Sequence, residues 1–315
     1  MKKIVECDRL MIKVCDLYYN QGKTHMEIAT ELGMSRPTVS RILSNALEKG
    51  IVKISIARLD SVKFWELEQK LKERFGLEDV VIVDEGTTEE EMKSALGEAA
   101  AGYLEHVVKE EDIVGVAMGS TLYYTAHTTV ARRLSDLTVV PLIGGMGRLQ
   151  SERHANHLAE HLAKAYGGRF YPLYAPARVS VPSVSREFMK EGSVEQVLEL
   201  QKSLSVALVG IGYPNEKSSI QATGYYEDNE IQSLLEREVV GEICMQFYDI
   251  SGDTSRYKAD NRVIGIELNK LKRIPYVIGV AGGLDKIPAV QGAIHGRYIN
   301  VLITDRVCAE ELLKC

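Results

Sequence analysis

The chain of 315 residues is 45% hydrophobic and 26% charged, a composition typical of globular proteins with room for one large and one small domain. No run reaches the roughly 18 apolar residues that a membrane-spanning helix needs, and the basic first residues precede no apolar segment of the kind found in signal peptides. The five cysteines are scattered and form no CxxC pair, so we expect reduced thiols and a cytoplasmic protein rather than a disulfide-linked one.

The charge is distributed unevenly along the chain. The formal net charge is −6, whereas residues 1–57 carry nine Lys and Arg against six Asp and Glu. A basic N-terminal segment on an acidic body favours local contact with phosphate groups, as in nucleic-acid binding.

The N-terminal segment contains the strongest local pattern, THMEIATELGMSRPTVSRIL. Thr24 and Glu27 have the spacing of a capping box, which predicts the start of a helix. Gly33 can adopt the left-handed conformation that ends a helix in a tight turn. Ser35 can cap a second helix, and Pro37 is tolerated in its first turn. The small and apolar residues around this turn predict a helix-turn-helix.

The second of these helices is the predicted recognition helix. Its N-terminal end would contact base edges, where arginine can bond guanine bidentately and hydroxyl groups suit phosphate. The candidate DNA-binding residues are Ser35, Arg36, Pro37, Thr38, Ser40, Arg41 and Ser44. The periodic apolar residues from Leu10 to Tyr18 predict a supporting helix, and the alternating IVKISIA at 51–57 predicts a wing. Residues 1–57 are thus the predicted DNA-binding domain, the alternative being a helical hairpin that packs against protein.

Residues 58–315 have the pattern of one α/β domain. An amphipathic connector helix, FWELEQKLKERFG, lies within residues 58–76. Six apolar segments then predict strands, and helical stretches separate several of them. The predicted strands are DVVIVD, DIVGVAM, LTVVPLIGG, SVALVGIG, YVIGVAGG and NVLITD. Continuous Val- and Ile-rich strands with helical crossovers predict a doubly wound parallel sheet.

Glycine-rich turns follow three of these strands. Ligands of parallel sheets bind at the carboxyl ends of the strands, and a turn that opens a helix can bind an anion through backbone amides and hydroxyls. A lysine after the third turn, GVAGGLDK, adds a point charge for phosphate. The candidate effector-binding residues at these turns are Gly119, Ser120, Thr121, Gly144, Gly145 and Lys286.

Over its whole length the chain resembles the SorC family (the SorC/DeoR grouping) of bacterial sugar-metabolism regulators. The motifs that carry the resemblance are LYYNQGKTHMEIATELGMSRPTVSRIL, GVAMGSTL, PLIGGMG, ALVGIG, VGEICMQFYDISGD, RVIGIELNKLKRIPYVIGVAGGLDK and HGRYINVLITDRVCAEELL. The resemblance implies a winged helix-turn-helix followed by an effector domain similar to sugar-phosphate isomerases and glucosamine-phosphate deaminases. It also implies a homotetramer, without a cofactor, whose operator binding changes when a phosphorylated sugar or polyol arrives.

The resemblance assigns roles to individual residues. It places the Gly119–Thr121 turn at the effector phosphate, Glu242 at the sugar hydroxyls and Lys286 in contact with the effector. It adds Asn156, in the helix after the second glycine loop, to the candidate set. Asp305, by contrast, is expected to cap a helix.

The chain departs from the family pattern at two places. Ile143 stands where one deoxyribose-phosphate-responsive branch carries a lysine that forms a Schiff base, so we expect no covalent imine. The stretch from Pro176 to Met189 matches family members poorly and leaves the identity of the ligand open.

Two alternative functions follow from the same residues. A sugar-phosphate isomerase or deaminase with an appended DNA-binding head would need a base such as Glu242, although a carboxylate also serves as a plain hydroxyl acceptor. His154, His157 and His161 share one helix face, but the HExxH arrangement of zinc enzymes is absent. We expect neither catalysis nor a bound metal, and the residues leave open whether the histidine face is solvated or part of an interface.

Overall fold

The computed structural model describes residues 8–53, 63–145, 151–214, 220, 224–260 and 262–315. The chain divides into two compact units, residues 1–63 and residues 64–315. The predicted domain boundary after residue 57 lies outside the described residues and stays a prediction. Within the described parts of the chain, no helix combines the length and apolar character needed to cross a membrane.

The smaller unit is helical. Its elements are α1 (Asp8–Cys15), a π-helical turn (Asp16–Asn20), α2 (His25–Glu31) and α3 (Arg36–Glu48). The capping box is confirmed, because the Thr24 hydroxyl accepts from the Glu27 amide at 3.3 Å and the Glu27 carboxylate accepts from the Thr24 amide at 2.8 Å. The predicted turn is also confirmed, with Gly33 left-handed at φ 61° and the Ser35 side chain capping α3.

A small apolar core holds the three helices together. Met11 and Val14 from α1, Ile28 from α2, and Val39 and Ile42 from α3 are all fully buried in it. This burial explains the helix-turn-helix pattern, since short helices are stable chiefly through packing of an apolar face. Most of the predicted wing falls at positions 54–57, outside the described residues.

The larger unit alternates strands and helices. The strands are β1 (Asp79–Val83), β2 (Ile113–Val116), β3 (Thr138–Pro141), β4 (Arg169–Phe170), β5 (Val206–Gly210), β6 (Gly241–Ile243), β7 (Gln246–Tyr248), β8 (Tyr276–Val280) and β9 (Val301–Asp305). The helices are α4 (Trp65–Phe75), α5 (Glu89–Val107), α6 (Ser120–Thr128), α7 (Ala155–Tyr166), α8 (Pro182–Phe188), α9 (Gly192–Leu200), α10 (Asp228–Glu236), α11 (Leu268–Leu271), α12 (Ile287–His295) and α13 (Arg306–Leu312).

Seven strands form one parallel, doubly wound sheet in the order β1-β9-β8-β5-β2-β3-β4. Strand β2 is an interior strand, with Val114 paired to Val206 of β5 on one side and to Val139 of β3 on the other. All six predicted strands are present and the predicted fold is confirmed. The sequence pattern missed β4, which has only two residues, and the antiparallel hairpin β6–β7, whose three-residue strands are too short for a periodic signal.

Candidate functional site

A cavity of about 540 Å³ opens at the carboxyl ends of β2, β5 and β8. After β2 the chain builds the sheet outward on one side, through β3 and β4, and later returns to the other side at β5. Open α/β sheets bind ligands at such a switch point, because the loops on either side of it diverge and leave a crevice. The volume lies within the range of small-molecule sites.

The turn after β2 forms one wall of the cavity. Gly119 has φ 145°, a conformation that side chains disfavour, and its amide donates to the Arg153 carbonyl at 3.2 Å. Helix α6 begins directly afterwards, so the amides of its first turn have no intrahelical carbonyl to bond. Ser120 and Thr121 line the cavity beside these amides. The wall can therefore bind an anion through backbone N–H groups and two hydroxyls.

Lys286 also lines the cavity, at the end of a short 3₁₀ turn (Leu284–Lys286) that follows β8. Burial lowers the pKa of Lys286, and the nearby Glu242 carboxylate opposes that change. Among the described residues, no carboxylate lies within ion-pair distance of its ammonium group. A half-buried cation without a close anionic partner can gain more from an anionic ligand than a solvated lysine can.

The turn that carries Lys286 is held by Asp305, at the end of β9. The Asp305 carboxylate accepts from the Gly283 amide at 2.5 Å and from the Cys308 amide at 3.0 Å. The second bond caps α13, so the predicted role of Asp305 as an N-cap is confirmed. The first bond fixes the start of the lysine turn relative to the sheet.

Glu242 reaches the cavity from β6. Its backbone pairs with Gly212, after β5, through two bonds of 2.9 Å, and its carboxylate accepts from the Met245 amide at 2.8 Å. Burial raises the pKa of Glu242, while the Met245 bond and Lys286 act in the opposite direction. The carboxylate is thus a fixed acceptor that faces space suited to a hydroxyl-bearing ligand.

Gly212 makes room for this carboxylate. A Cβ at position 212 would lie 1.9 Å from Glu242 Oε1, which no side chain could tolerate without displacing it. The turn between β6 and β7 is also unusual, because Cys244 and Met245 both have positive φ, 51° and 59°. A two-residue hairpin loop favours positive φ at both of its positions, so this conformation belongs to the β6–β7 hairpin that carries Glu242.

The structure adds cavity residues that the sequence patterns did not indicate. Glu89 and Lys93, on the first turns of α5, line the cavity and form an ion pair of 2.5 Å. Met92 and Tyr213 contribute apolar surface. Acidic residues are common in the first turn of a helix, so this turn gives no signal of a site in the sequence. Only the order of the strands shows that α5 reaches the cavity.

Three predicted residues lie away from the residues that line the cavity. The Gly144 and Gly145 amides donate to the carbonyls of Ile264 and Ala175, at 2.9 and 3.0 Å. The Asn156 side chain both donates to and accepts from the backbone of Leu173, at 3.0 and 2.8 Å. These bonds position loops of the sheet edge, and effector contact by the three residues stays a prediction.

The candidate DNA-binding residues lie together on one surface of α3. Ser35, Arg36, Pro37, Ser40, Arg41 and Ser44 are exposed and Thr38 is partly exposed. The opposite face of the helix is buried, so the polar face is available to a partner. Its two arginines and four hydroxyls match the chemistry of phosphate and base-edge contacts.

Comparison with protein families gives matches to both units. Residues 61–314 match the family described as "Putative sugar-binding domain". Residues 13–49 match the family described as "Sigma-70, region 4". The first match covers most of the chain, including every residue that lines the cavity.

Full-length relatives and structures are also similar. The sorbitol operon regulator of Klebsiella pneumoniae is 37% identical over 97% of this chain and 98% of its own, and the deoxyribonucleoside regulator of Bacillus subtilis is 32% identical over 98% of each chain. The crystal structure of the full-length K. pneumoniae regulator, SorC, matches with a TM-score of 0.74 over 97% of this chain and 99% of its own, at 36% identity. A DeoR family regulator from Listeria monocytogenes matches with a TM-score of 0.73 over 79% of this chain and 99% of its own, at 30% identity.

Proposed function

This chain belongs to the SorC family of sugar-responsive transcriptional regulators, and from that premise we propose that a phosphorylated sugar or polyol, bound in the cavity, controls its binding to operator DNA. The observation that carries the proposal is the pairing of an anion-binding wall with a carboxylate wall in one cavity. Ser120, Thr121 and Lys286 are the cavity residues that would bind the anion, and Glu242 supplies the carboxylate. A phosphate group and a row of hydroxyls are the ligand features that these two walls complement.

The regulatory step is a shift between two arrangements of a symmetric oligomer, which we propose to be a homotetramer. Two-fold symmetry in the protein requires a near-palindromic operator with half-sites in helical phase. An effector that binds one arrangement more tightly moves the population toward it, and operator affinity changes by the same coupling free energy. Catalysis is not part of this proposal, in keeping with relatives that are named as regulators.

A thermal-shift screen of the full-length protein tests the ligand class. Sugars and polyols are compared in pairs, each with its phosphate ester, because a ligand that binds the native state raises the melting temperature. We expect stabilisation by a phosphate ester and little or none by its unphosphorylated partner. Stabilisation by unphosphorylated sugars alone would contradict the phosphate assignment of the Gly119–Thr121 turn.

Replacing Glu242 with glutamine is expected to stabilise the protein at neutral pH and to weaken its binding of the effector. Because burial raises the folded-state pKa of Glu242, its contribution to stability is complete below the unfolded carboxyl pKa and is lost as pH rises through the folded pKa. Glutamine keeps an acceptor for the Met245 amide but carries no charge. We expect the unfolding free energy to rise by roughly 0.5–2 kcal/mol, the usual range for a single stabilising substitution.

The measurement is the difference in melting temperature between Glu242→Gln and wild type from pH 5 to pH 8. The difference should grow as pH rises and then level off. Glu73→Gln, at an exposed carboxylate on α4, is the control and should show a constant difference. If the difference between Glu242→Gln and wild type instead shrinks as pH rises, ionisation of the Glu242 carboxylate stabilises the folded protein.

A further inference from the structure

Three histidines from two helices meet beside the sheet. His127 lies in the last turn of α6, and His157 and His161 lie one turn apart on α7. One ring nitrogen from each lies within 4.8 Å of the other two. The rings of His127 and His161 stack, with centroids 4.2 Å apart. Spacing of i, i+4 on one helix puts two imidazoles on one face, and the second helix supplies the third.

The hydrogen bonding of His127 prepares it to bind a metal. Its Nδ1 lies 2.9 Å from the Tyr123 carbonyl oxygen. A carbonyl can only accept, so Nδ1 carries the proton and Nε2 keeps its lone pair. Metal-binding histidines usually donate their other N–H in this way, which fixes the tautomer and the ring orientation. The Tyr123 ring, with its centroid 4.0 Å from that of His127, restricts the imidazole further.

The third histidine is also suited to ligation. Burial lowers the pKa of His161, and the neighbouring His127, His157 and Lys164 add to that effect. A metal ligand must be the neutral imidazole. His127 and His157 are exposed, so an ion can reach the cluster from solvent.

We propose that His127, His157 and His161 form a site for one divalent transition-metal ion of the Zn²⁺ class, with water as the fourth ligand. Imidazole nitrogen selects such ions over Mg²⁺ and Ca²⁺, which prefer oxygen. Tetrahedral Zn–N bonds of about 2.0–2.1 Å place ligand nitrogens roughly 3.4 Å apart. The exposed His157 ring can move its nitrogen closer to the other two by rotating about its side-chain bonds.

The site lies outside the effector cavity but on a helix that the cavity uses. Helix α6 has its first turn at the anion-binding wall and His127 in its last turn. A bound ion would fasten this helix to α7. The sequence pattern placed His154 on the same helix face as His157 and His161. In the structure His154 is the N-cap residue of α7 and is not part of the cluster. Its place is taken by His127, 30 residues upstream of His157, which only the packing of α6 on α7 brings near.

Calorimetric titration of Zn²⁺ into untagged, EDTA-stripped full-length protein tests the site. We expect one equivalent per chain to bind, and we expect His157→Ala and His161→Ala each to weaken binding by ~tenfold or more. Co²⁺ should give the visible absorption of a tetrahedral site in wild type only. His106→Ala, an exposed histidine on α5, is the control and should bind as wild type does.

His157 is exposed and its replacement should leave the fold intact, so a loss of binding in that variant reports the site itself. Absence of Zn²⁺ binding to the wild type would overturn the proposal. So would affinity within twofold of wild type in either His157→Ala or His161→Ala, or an equal loss in His106→Ala. Because the effector screen uses no metal, failure here leaves the proposed regulatory function untouched.

Discussion

Replacing Lys286 with alanine is expected to weaken binding of the phosphorylated effector by roughly 30- to 1000-fold. A charge-assisted contact in a partly desolvated site contributes about 2–4 kcal/mol, and about 1.4 kcal/mol corresponds to each factor of ten in affinity. Operator binding without effector should be unchanged, since Lys286 lies in the larger unit and DNA contact is assigned to α3. Calorimetry with the ester found in the screen, and anisotropy with labelled operator, give the two affinities.

Two further results decide how the Lys286 experiment is interpreted. The melting temperature of Lys286→Ala is measured first, so that a loss of effector binding in a folded variant is not ascribed to unfolding. Lys70→Ala, at an exposed lysine on α4, removes the same charge and should bind effector normally. Joint loss of effector and operator binding in Lys286→Ala would show that the two roles are not separate.

Replacing Arg41 with alanine is expected to weaken operator binding and to leave effector binding unchanged. Arg41 is exposed on the polar face of α3, and losing one arginine contact with DNA costs about 1–3 kcal/mol, or roughly 5- to 150-fold in operator affinity. Effector affinity should stay within twofold of wild type. Operator titrations at several salt concentrations also distinguish the kind of contact, because loss of a phosphate contact reduces the salt dependence whereas loss of a base contact relaxes specificity.

Arg186→Ala is the matched control for Arg41. Arg186 is an exposed arginine on α8, in the larger unit. Equal losses in the two variants would mean that operator affinity follows net charge alone. A normal operator affinity for Arg41→Ala would remove this residue from the proposed DNA-binding surface.

The sequence predicted the sheet well because its strands are continuous apolar runs. Val80, Val114, Val139 and Val206 belong to such runs, and all are buried. Burial on both faces of a parallel sheet requires this composition, so the pattern and the fold have the same cause. The capping box at Thr24 and the glycine at position 33 were equally informative, because each satisfies a local backbone requirement that does not depend on distant packing.

The site could be predicted only where a local motif carried it. The Gly119–Thr121 turn is such a motif, because a glycine followed by two hydroxyls opens a helix directly after a strand. The Glu89–Lys93 pair and Gly212 could not be found this way, because their meaning depends on which elements the topology brings together. In the sequence, Gly212 looks like any glycine after a strand. Its role is visible only in the structure, where the Glu242 carboxylate occupies the space beside it.

The three glycine-rich turns take different positions in the fold. The turns at Gly119 and Gly283 both border the cavity, whereas the turn at Gly144 packs against the Ala175–Pro176 backbone instead. All three follow parallel strands and look alike in sequence. The difference is the position of the strand, because β3 has only the two-residue β4 beyond it, whereas β2 and β8 each have at least two strands on either side.

In the proposed function, a phosphorylated ligand in the cavity changes operator binding. The most direct test measures the operator affinity of the full-length protein with a sugar phosphate that binds it, and with the same sugar lacking phosphate. A coupling of about 1–3 kcal/mol predicts a change of roughly 5- to 150-fold with the ester, none with the free sugar, and none with either ligand in Lys286→Ala at the same concentrations. An operator affinity that stays constant while the ester saturates the wild-type protein, or that changes equally with the free sugar, would contradict the account.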